Sequence, residues 1–381
     1  MVDKRKRGLI RWGGGLSMLL SCNNMLKAQS LTDFQQVDRN RDLTFPRDYG
    51  AHFGFGIEWW YVTGWLWKKG GALCAFQITF FRRRSAGVIN SESSFSPEQL
   101  IFGHASLILP KEKELFFAER AGRIRKGIID LSEVNTNIVF EDWFLKRDPL
   151  VDKYIIAIKD EQFNYDLTLS TISKQKMKTT ILRGDNGFSR KGPSPKQASF
   201  YYSRPNLVVD GSVRVKDQVW LGKGLAWLDH EWSSKLLARQ AIGWDWIGIN
   251  LLDGGSLMAF RIRERDGKTF WSDFSLLDSF GNNHPKYRSQ ERVVEKHSAK
   301  WIQKRFWKSS KSRAEYPIEQ NIIIGEHMFM VRPIMDNQEI DARLSTGTFY
   351  YEGAVKLYYG KRLIGRGFLE LTGYSSPLRL Q

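Results

Sequence analysis

Apolar and polar residues alternate along much of this chain with the period of two that belongs to half-buried strands, and no long stretch carries the 3.6-residue period of a helix. The clearest run is Glu58-Trp59-Trp60-Tyr61-Val62-Thr63-Gly64-Trp65-Leu66-Trp67. Trp59, Tyr61, Thr63, Trp65 and Trp67 fall on one face of such a strand, and Glu58, Trp60, Val62, Gly64 and Leu66 on the other. Both faces carry large apolar groups, so neither can lie against water over its full length. The glycine-rich turn Lys68-Lys69-Gly70-Gly71 and the run 73–78 complete a β-hairpin. Further short strands are expected at 100–109, 154–158, 165–169, 349–351 and 368–371. The exceptions would be one short helix over 300–308 and a turn after Leu31.

The hairpin pattern occurs twice. Trp244-Asp245-Trp246-Ile247-Gly248 with Asp253-Gly254-Gly255 and 257–262 repeats its aromatic, glycine and aliphatic positions. A second echo closes each half: Asp210-Gly211-Ser212-Val213 with Gly222-Lys223-Gly224 answers Glu352-Gly353-Ala354-Val355 with Gly365-Arg366-Gly367. The same opening and the same closing imply a duplicated domain. The expected organisation is a leader at 1–30, a linker at 31–48, a first domain at 49–232 and a second at 239–374. Many short antiparallel strands indicate an all-β fold of barrels or sandwiches. The length of the repeat favours two tandem, lipocalin-like antiparallel β-barrels. In that arrangement Trp59 should lie over Trp244 and Phe76 over Phe260, in two separately closed sheets.

Composition fits two sizeable cores, with 42% hydrophobic and 13% aromatic residues. The fourteen Trp are unusual; satisfying so many buried N–H groups is difficult, so some of these rings should line an apolar cavity. Lys4, Arg5, Lys6, Arg7 and Arg11 precede an uncharged run from Trp12 to Met25, as in an export signal. Leu19-Leu20-Ser21-Cys22 has the form of a lipoprotein cleavage box, and Ala28-Gln29-Ser30 that of an ordinary cleavage site. Periplasmic or membrane-anchored placement follows from either. Cys22 and Cys74 are the only cysteines, so removal or lipidation of Cys22 leaves no internal disulfide. The formal charge is +17, and without the six cations and the Asp3 of the leader it is +12. Arg82-Arg83-Arg84 and the segment Lys286 to Arg313 hold much of this charge. The second cluster, interleaved with Trp301, Phe306 and Trp307, would suit nucleic acid. In an exported protein an anionic membrane surface is the better partner, and nucleic acid is not expected.

The densest polar constellation is Leu228-Asp229-His230-Glu231-Trp232, between the two repeats. Alternation puts Asp229 and Glu231 on one face and His230 on the other, beside Trp232. The bracket of Trp227 and Trp232 leads to the expectation that Asp229 and His230 border one polar pocket at the barrel junction. A partly buried His among carboxylates has a movable pKa suited to proton transfer. Glu58, His104 and Asp245 (between Trp244 and Trp246) are further candidates, because acids set among aromatic residues resist burial unless paired. The bland alternative is that these groups tie the domains together by hydrogen bonds. Gly187-Phe188-Ser189-Arg190-Lys191 misses the serine-hydrolase elbow. No zinc-type motif and no dinucleotide or phosphate loop is present, so neither a metal nor a cofactor is expected.

Several of these segments resemble motifs of the AttH-like family, which is related to the carotenoid 1,2-hydratases (hydroxyneurosporene synthases): Glu58-Trp59-Trp60-Tyr61-Val62-Thr63-Gly64, Phe102-Gly103-His104-Ala105, Leu228 to Ser233, Gly243-Trp244-Asp245-Trp246, Asp336-Asn337-Gln338-Glu339, Tyr351 to Val355 and Glu370-Leu371-Thr372-Gly373-Tyr374. The resemblance implies two tandem lipocalin-like barrels. Members carry the label "predicted secreted hydrolase", and others are associated with ABC-type export of lipophilic cargo. The hydratases resemble this chain at Asp229, His230 and Trp232. Adding water to an isolated C=C needs an acid to protonate the alkene and aromatic faces to stabilise the cation. Asp229 or His230 would supply the proton, with Trp227, Trp232 and Trp244 as the wall and Trp59, Trp60 and Trp246 nearby. The family's Tyr-Pro-x-x-Trp departs here to Tyr316-Pro317-Ile318-Glu319-Gln320.

The expected function is therefore an exported protein that binds a lipid or terpenoid at or near the domain junction, linked to an ABC-type transporter. The alternative is a hydro-lyase acting on an isolated double bond, and a weaker one is a scaffold partner of a transporter with no ligand. The interior separates them: a dry aromatic cavity favours binding, an acid in its wall favours the enzyme, and filled barrels favour the scaffold.

Overall fold

The computed structural model describes residues 34–68, 73–85, 99–171, 178–287 and 298–378. The leader with Cys22 and Ala28-Gln29-Ser30, and most of the Lys68-Lys69-Gly70-Gly71 turn, lie outside the described residues. Among those residues there is no α-helix, and two antiparallel sheets account for the fold.

The first sheet opens with β1 (Ile57–Lys68), β2 (Leu73–Arg84), β3 (Gln99–Leu109) and β4 (Glu114–Arg123). Shorter strands follow: β5 (Ile129–Leu131), β6 (Asn137–Phe140), β7 (Trp143–Asp148), β8 (Lys153–Lys159) and β9 (Phe163–Ser170). After the two short pieces β10 (Ile181–Leu182) and β11 (Phe188–Arg190) come the long β12 (Ala198–Val215) and β13 (Gln218–Ser233). The first strand lies between the second and the last, with β1 paired to both β2 and β13. The second sheet repeats this. Its β14 (Ala241–Leu251) pairs with β15 (Ser256–Glu264) and with the last strand, β22 (Arg362–Leu371). Between them run β16 (Thr269–Leu277), β17 (Lys300–Lys308), β18 (Glu315–Ile324), β19 (His327–Pro333), β20 (Glu339–Ala342) and β21 (Thr348–Tyr359). Two near-closed, lipocalin-like barrels result.

The alternation in β1 is what the sequence requires. Trp60, Val62 and Leu66 enter the core of the first barrel with Phe76, Phe80, Trp143 and Trp232. Tyr61 and Trp65 turn outward into a separate cluster with Trp227, Trp246, Phe260 and Phe368. That cluster lies between the barrels, so both faces of β1 are covered. The second barrel has its own core around Ile247, Tyr316, Phe329 and Leu369. Side chains occupy both interiors.

The closing glycines have a common cause. A Cβ on Gly224 would lie 1.7 Å from the carbonyl oxygen of Trp65, and one on Gly367 would lie 1.8 Å from that of Gly248. Each lets the last strand approach the first more closely than any side chain permits. Measured from these glycines, the register of the two repeats differs by two residues from that of the aromatic echo, so Trp244 corresponds to Tyr61 and not, as expected, to Trp59. An even slip leaves every side chain on its original face.

Three expectations need correction. The segment Lys300–Lys308 is the strand β17, laddered to β18, and not a helix; Trp301, Ile302, Phe306 and Trp307 are strand-forming residues with a neighbour to pair with. Phe76 does not lie over Phe260, for Phe76 points into the first barrel and Phe260 points out towards the junction. Nor is Arg82 part of a surface cluster. Alternation along β2 turns it inward, where it is fully buried.

Candidate functional site

The predicted residues separate into two sites on opposite faces of one sheet. Inside the first barrel, Glu58 and Arg82 are cross-strand neighbours, and Arg82 Nε donates to Glu58 Oε2 at 3.0 Å. His52 Nδ1 and His230 Nε2 both meet Glu58 Oε1, at 2.7 and 2.9 Å. His52 Nε2 is 3.0 Å from Asp48 Oδ1, and His230 Nδ1 is 3.0 Å from the Tyr202 hydroxyl. His230 stacks on Trp60 at 4.5 Å, and His52 stacks on Trp232 at 3.7 Å. Burial alone would raise the Glu58 pKa, but His52, Arg82 and the bond from His230 hold it well below the usual carboxylate range. Burial pushes His230 down to about 4. His52, Glu58 and His230 bring ligand-type atoms within 4.8 Å of one another. Those atoms are already engaged with each other, and Arg82 supplies the positive charge that a cation would bring. The cluster is a satisfied network within one barrel.

The second barrel has a matching strut. Asp245 on β14 faces Arg261 on β15 and accepts from Arg261 Nε at 2.8 Å, Arg263 Nε at 2.8 Å and the Tyr374 hydroxyl at 3.0 Å. Asp245 is therefore sequestered from any ligand. Glu58, Trp60, His230, Trp232 and Asp245 do not border the junction. The expectation that His230 and Asp229 share a pocket fails for the reason alternation already gave: adjacent residues of β13 project to opposite faces.

The other predicted residues converge. Between the barrels lies a cavity of about 260 Å³, lined by Trp59, His104, Asp229, Trp244 and Trp246 from the predicted set, and by Tyr61, Phe81, Phe102, Phe260 and Tyr350. Tyr61 and Trp246, counterparts in the aromatic repeat, meet edge to face at 5.3 Å. Their cross-strand partners are Asp229 on β13 and Glu370 on β22, and both acids line the cavity. The site is thus assembled from equivalent outer faces of two similar barrels.

Asp229 accepts from the Tyr201 hydroxyl at 2.6 Å, from Trp227 Nε1 at 2.7 Å and from Ser203 Oγ. Trp227 is thus a support behind the acid and not part of the cavity wall. Burial raises Asp229 to about 6, against the pull of Arg183 and these donors. Glu370 accepts from Trp244 Nε1 at 2.7 Å, and burial raises it to about 7. Beside it on β21, Glu352 accepts from the Tyr61 hydroxyl at 2.5 Å; burial and then the charge of Glu370 push its pKa well up. Glu231 is paired with Lys191 at 2.9 Å and accepts from Ser199. His104 bridges the barrels, 2.9 Å from the Tyr350 hydroxyl and 2.8 Å from Ser345 Oγ, and burial lowers its pKa to about 4. The cavity therefore holds carboxyl groups that lose their protons close to neutral pH, and not well below it, together with a neutral imidazole and an aromatic wall.

The sequence of the AttH-like family matches residues 36–374. The chain belongs to the AttH-like family. The crystal structure of a candidate AttH from Nitrosomonas europaea is similar to it, with 38% identity over 89% of this chain and 99% of that one, and a TM-score of 0.79. Kievitone hydratase from Nectria haematococca shares the fold at 13% identity, covering 91% of this chain and 97% of that one, with a TM-score of 0.64. No curated protein sequence matches the chain.

In this AttH-like protein several site residues carry no local signal. Lys191 and Tyr201 arrive from loop and strand positions with nothing unusual around them. Glu352 and Glu370 lie in segments that carried the family resemblance, and the pairing of Glu370 with the second aromatic repeat is the signal that could have identified it.

Proposed function

We propose that this AttH-like protein binds a lipophilic small molecule in the cavity between its barrels. The carrying observation is that cavity itself, walled by Trp59, Phe81, Phe102, Trp244, Trp246 and Phe260. At about 260 Å³ it falls just below the roughly 300–1,000 Å³ of pockets that enclose drug-sized ligands. Export, anchoring through Cys22, contact with an anionic membrane surface and partnership with an ABC-type transporter belong to the same proposal. They rest on the leader and the family resemblance. Native mass spectrometry of the protein taken from its own host should show a bound lipophile. An empty chain whose melting temperature and Trp fluorescence no lipophile shifts would refute binding.

A second reading is favoured by the acids. Asp229 and Glu370 sit in an aromatic wall with pKa values of about 6 and 7, as needed for a proton donor and a proton acceptor working near neutrality. One carboxylic acid would protonate an alkene carbon and the indoles would stabilise the resulting cation. Water would then form the C–O bond and release its proton to the other carboxylate. Kievitone hydratase, whose name states a hydration, has the same fold. Incubation with unsaturated terpenoids and fatty acids in heavy-oxygen water should give a labelled alcohol. Asp229→Asn should reduce its formation by roughly 10²–10⁴-fold with little change in melting temperature, and an undiminished rate would exclude Asp229 from the chemistry.

A further inference from the structure

The lining of the cavity is graded along β2. Thr79, Phe81 and Arg83 project into it from alternate positions. Thr79 pairs with Tyr61, which in turn pairs with Asp229, so these three mark the acidic floor. Phe81 pairs with Trp59 in the aromatic middle, and Arg83 lies at the far end, opposite Ile57. Four residues of strand separate Thr79 from Arg83, roughly 13 Å. Tyr61, Asp229 and Tyr201 at the floor are buried, with Thr79 and Glu370 beside them partly exposed, whereas towards the other end Trp59, Phe81, Phe102 and Arg83 are all partly exposed. The floor is deep and Arg83 is at the rim.

The cations of the lining differ in one respect. Lys191 is committed to Glu231 at 2.9 Å and to Ser189 Oγ at 3.0 Å. Arg82 and Arg84 are also engaged, but Arg83 makes no hydrogen bond or ion pair among the described residues. A planar guanidinium left unpaired beside an apolar cavity is suited to bind an anionic oxygen group through two parallel hydrogen bonds. At the floor Lys191 is already paired with Glu231, so beside Asp229 and Glu370 the same group finds no free cation among the described residues. The unpaired cation at one end favours one orientation.

We infer that the ligand is an amphiphile with an anionic head, held at the rim by Arg83 with its apolar body against Trp59, Phe81 and Trp244 and its far end at the acids. This rests on the proposal that the cavity binds lipophiles and adds the class and direction of the ligand. Any carbon that reacts at Asp229 or Glu370 would then lie roughly 13 Å from the head. The head chemistry is shared by carboxylates and phosphate monoesters.

The test compares decanoate, decyl phosphate and decanol, with quenching of Trp fluorescence on the full-length protein as the readout. One or both anionic probes should bind at least about tenfold more tightly than decanol, the usual scale for a hydrogen bond to a charged partner. Which anion binds better separates a fatty-acid from a phosphate source. The preference should shrink with added salt, because Arg83 is partly exposed. Arg83→Gln should abolish the preference while leaving decanol binding and melting temperature unchanged, and Arg83→Lys should restore part of it. Equal binding of decanol and both anions to the wild type would overturn the inference and leave lipophile binding intact, as would a preference that survives in Arg83→Gln. Failure of all three probes to bind would overturn the cavity proposal and this inference with it.

Discussion

Replacing Glu370 with Gln tests the electrostatics of the cavity without a known substrate. Glu370 is raised from 4.5 to about 7 by burial, so the folded protein holds its proton more tightly than the unfolded chain. The stabilisation from that proton is fully present below about pH 4.5 and is lost as pH rises to about 7. At about 1.36 kcal/mol per pH unit the loss is at most ~3 kcal/mol. Glu370 borders the cavity and keeps partial contact with solvent, and screening should bring the loss to about 2 kcal/mol. Gln keeps the acceptor for Trp244 Nε1 and has no proton to lose. His104 and His230, lowered from 6.5 to about 4 by burial, act in the opposite sense: their stabilisation is present above pH 6.5 and is lost as pH falls through 4. They are common to both proteins and cancel in the difference. Denaturant titrations of wild type and Glu370→Gln at pH 4.5 and 7.5 should therefore show the variant gaining about 2 kcal/mol on the wild type at the higher pH. A difference independent of pH, or one that favours the wild type as pH rises, would show that Glu370 is an ordinary ionised carboxylate, and its raised pKa would have to be abandoned.

Two further outcomes follow. Glu58→Gln leaves Arg82 buried without its counter-charge and should cost about 3–5 kcal/mol in chemical denaturation at neutral pH; a cost under about 1 kcal/mol would mean that the buried network is dispensable. In cells expressing the intact chain, Cys22→Ser should release the protein from membranes, whereas unchanged membrane association would point to cleavage near Ser30 and attachment through basic surface.

The fold was legible because β structure writes itself locally. The two-residue alternation of Trp59 to Trp67 requires a strand covered on both sides, and its second appearance at Trp244 requires a second barrel. Gly224 and Gly367 could be matched as letters before the carbonyl oxygens they accommodate were visible. The site was legible only in part. Alternation assigns Asp229 and His230 to opposite faces but not which face turns toward the other barrel, and that choice decides which of them meets a ligand. The inward turn of Arg82 follows from its pairing with Glu58, and in the sequence Arg82 is indistinguishable from its two basic neighbours. Lys191 and Tyr201 enter the site only through the docking of whole barrels, and no window of sequence contains that information.

The edge-to-face meeting of Tyr61 and Trp246 across the junction has a consequence for how such a site can specialise. Two identical barrels facing each other as separate chains would place the same acid, in the same surroundings, on both sides of their shared axis. Joined in one chain, the two faces are free to drift apart. Asp229 now rests in a cradle of Tyr201, Ser203 and Trp227, while Glu370 has the indole of Trp244 and a carboxyl neighbour, Glu352. Covalent linkage thus turns a symmetric pair of faces into a polarised site, in which the two acids rest in different surroundings.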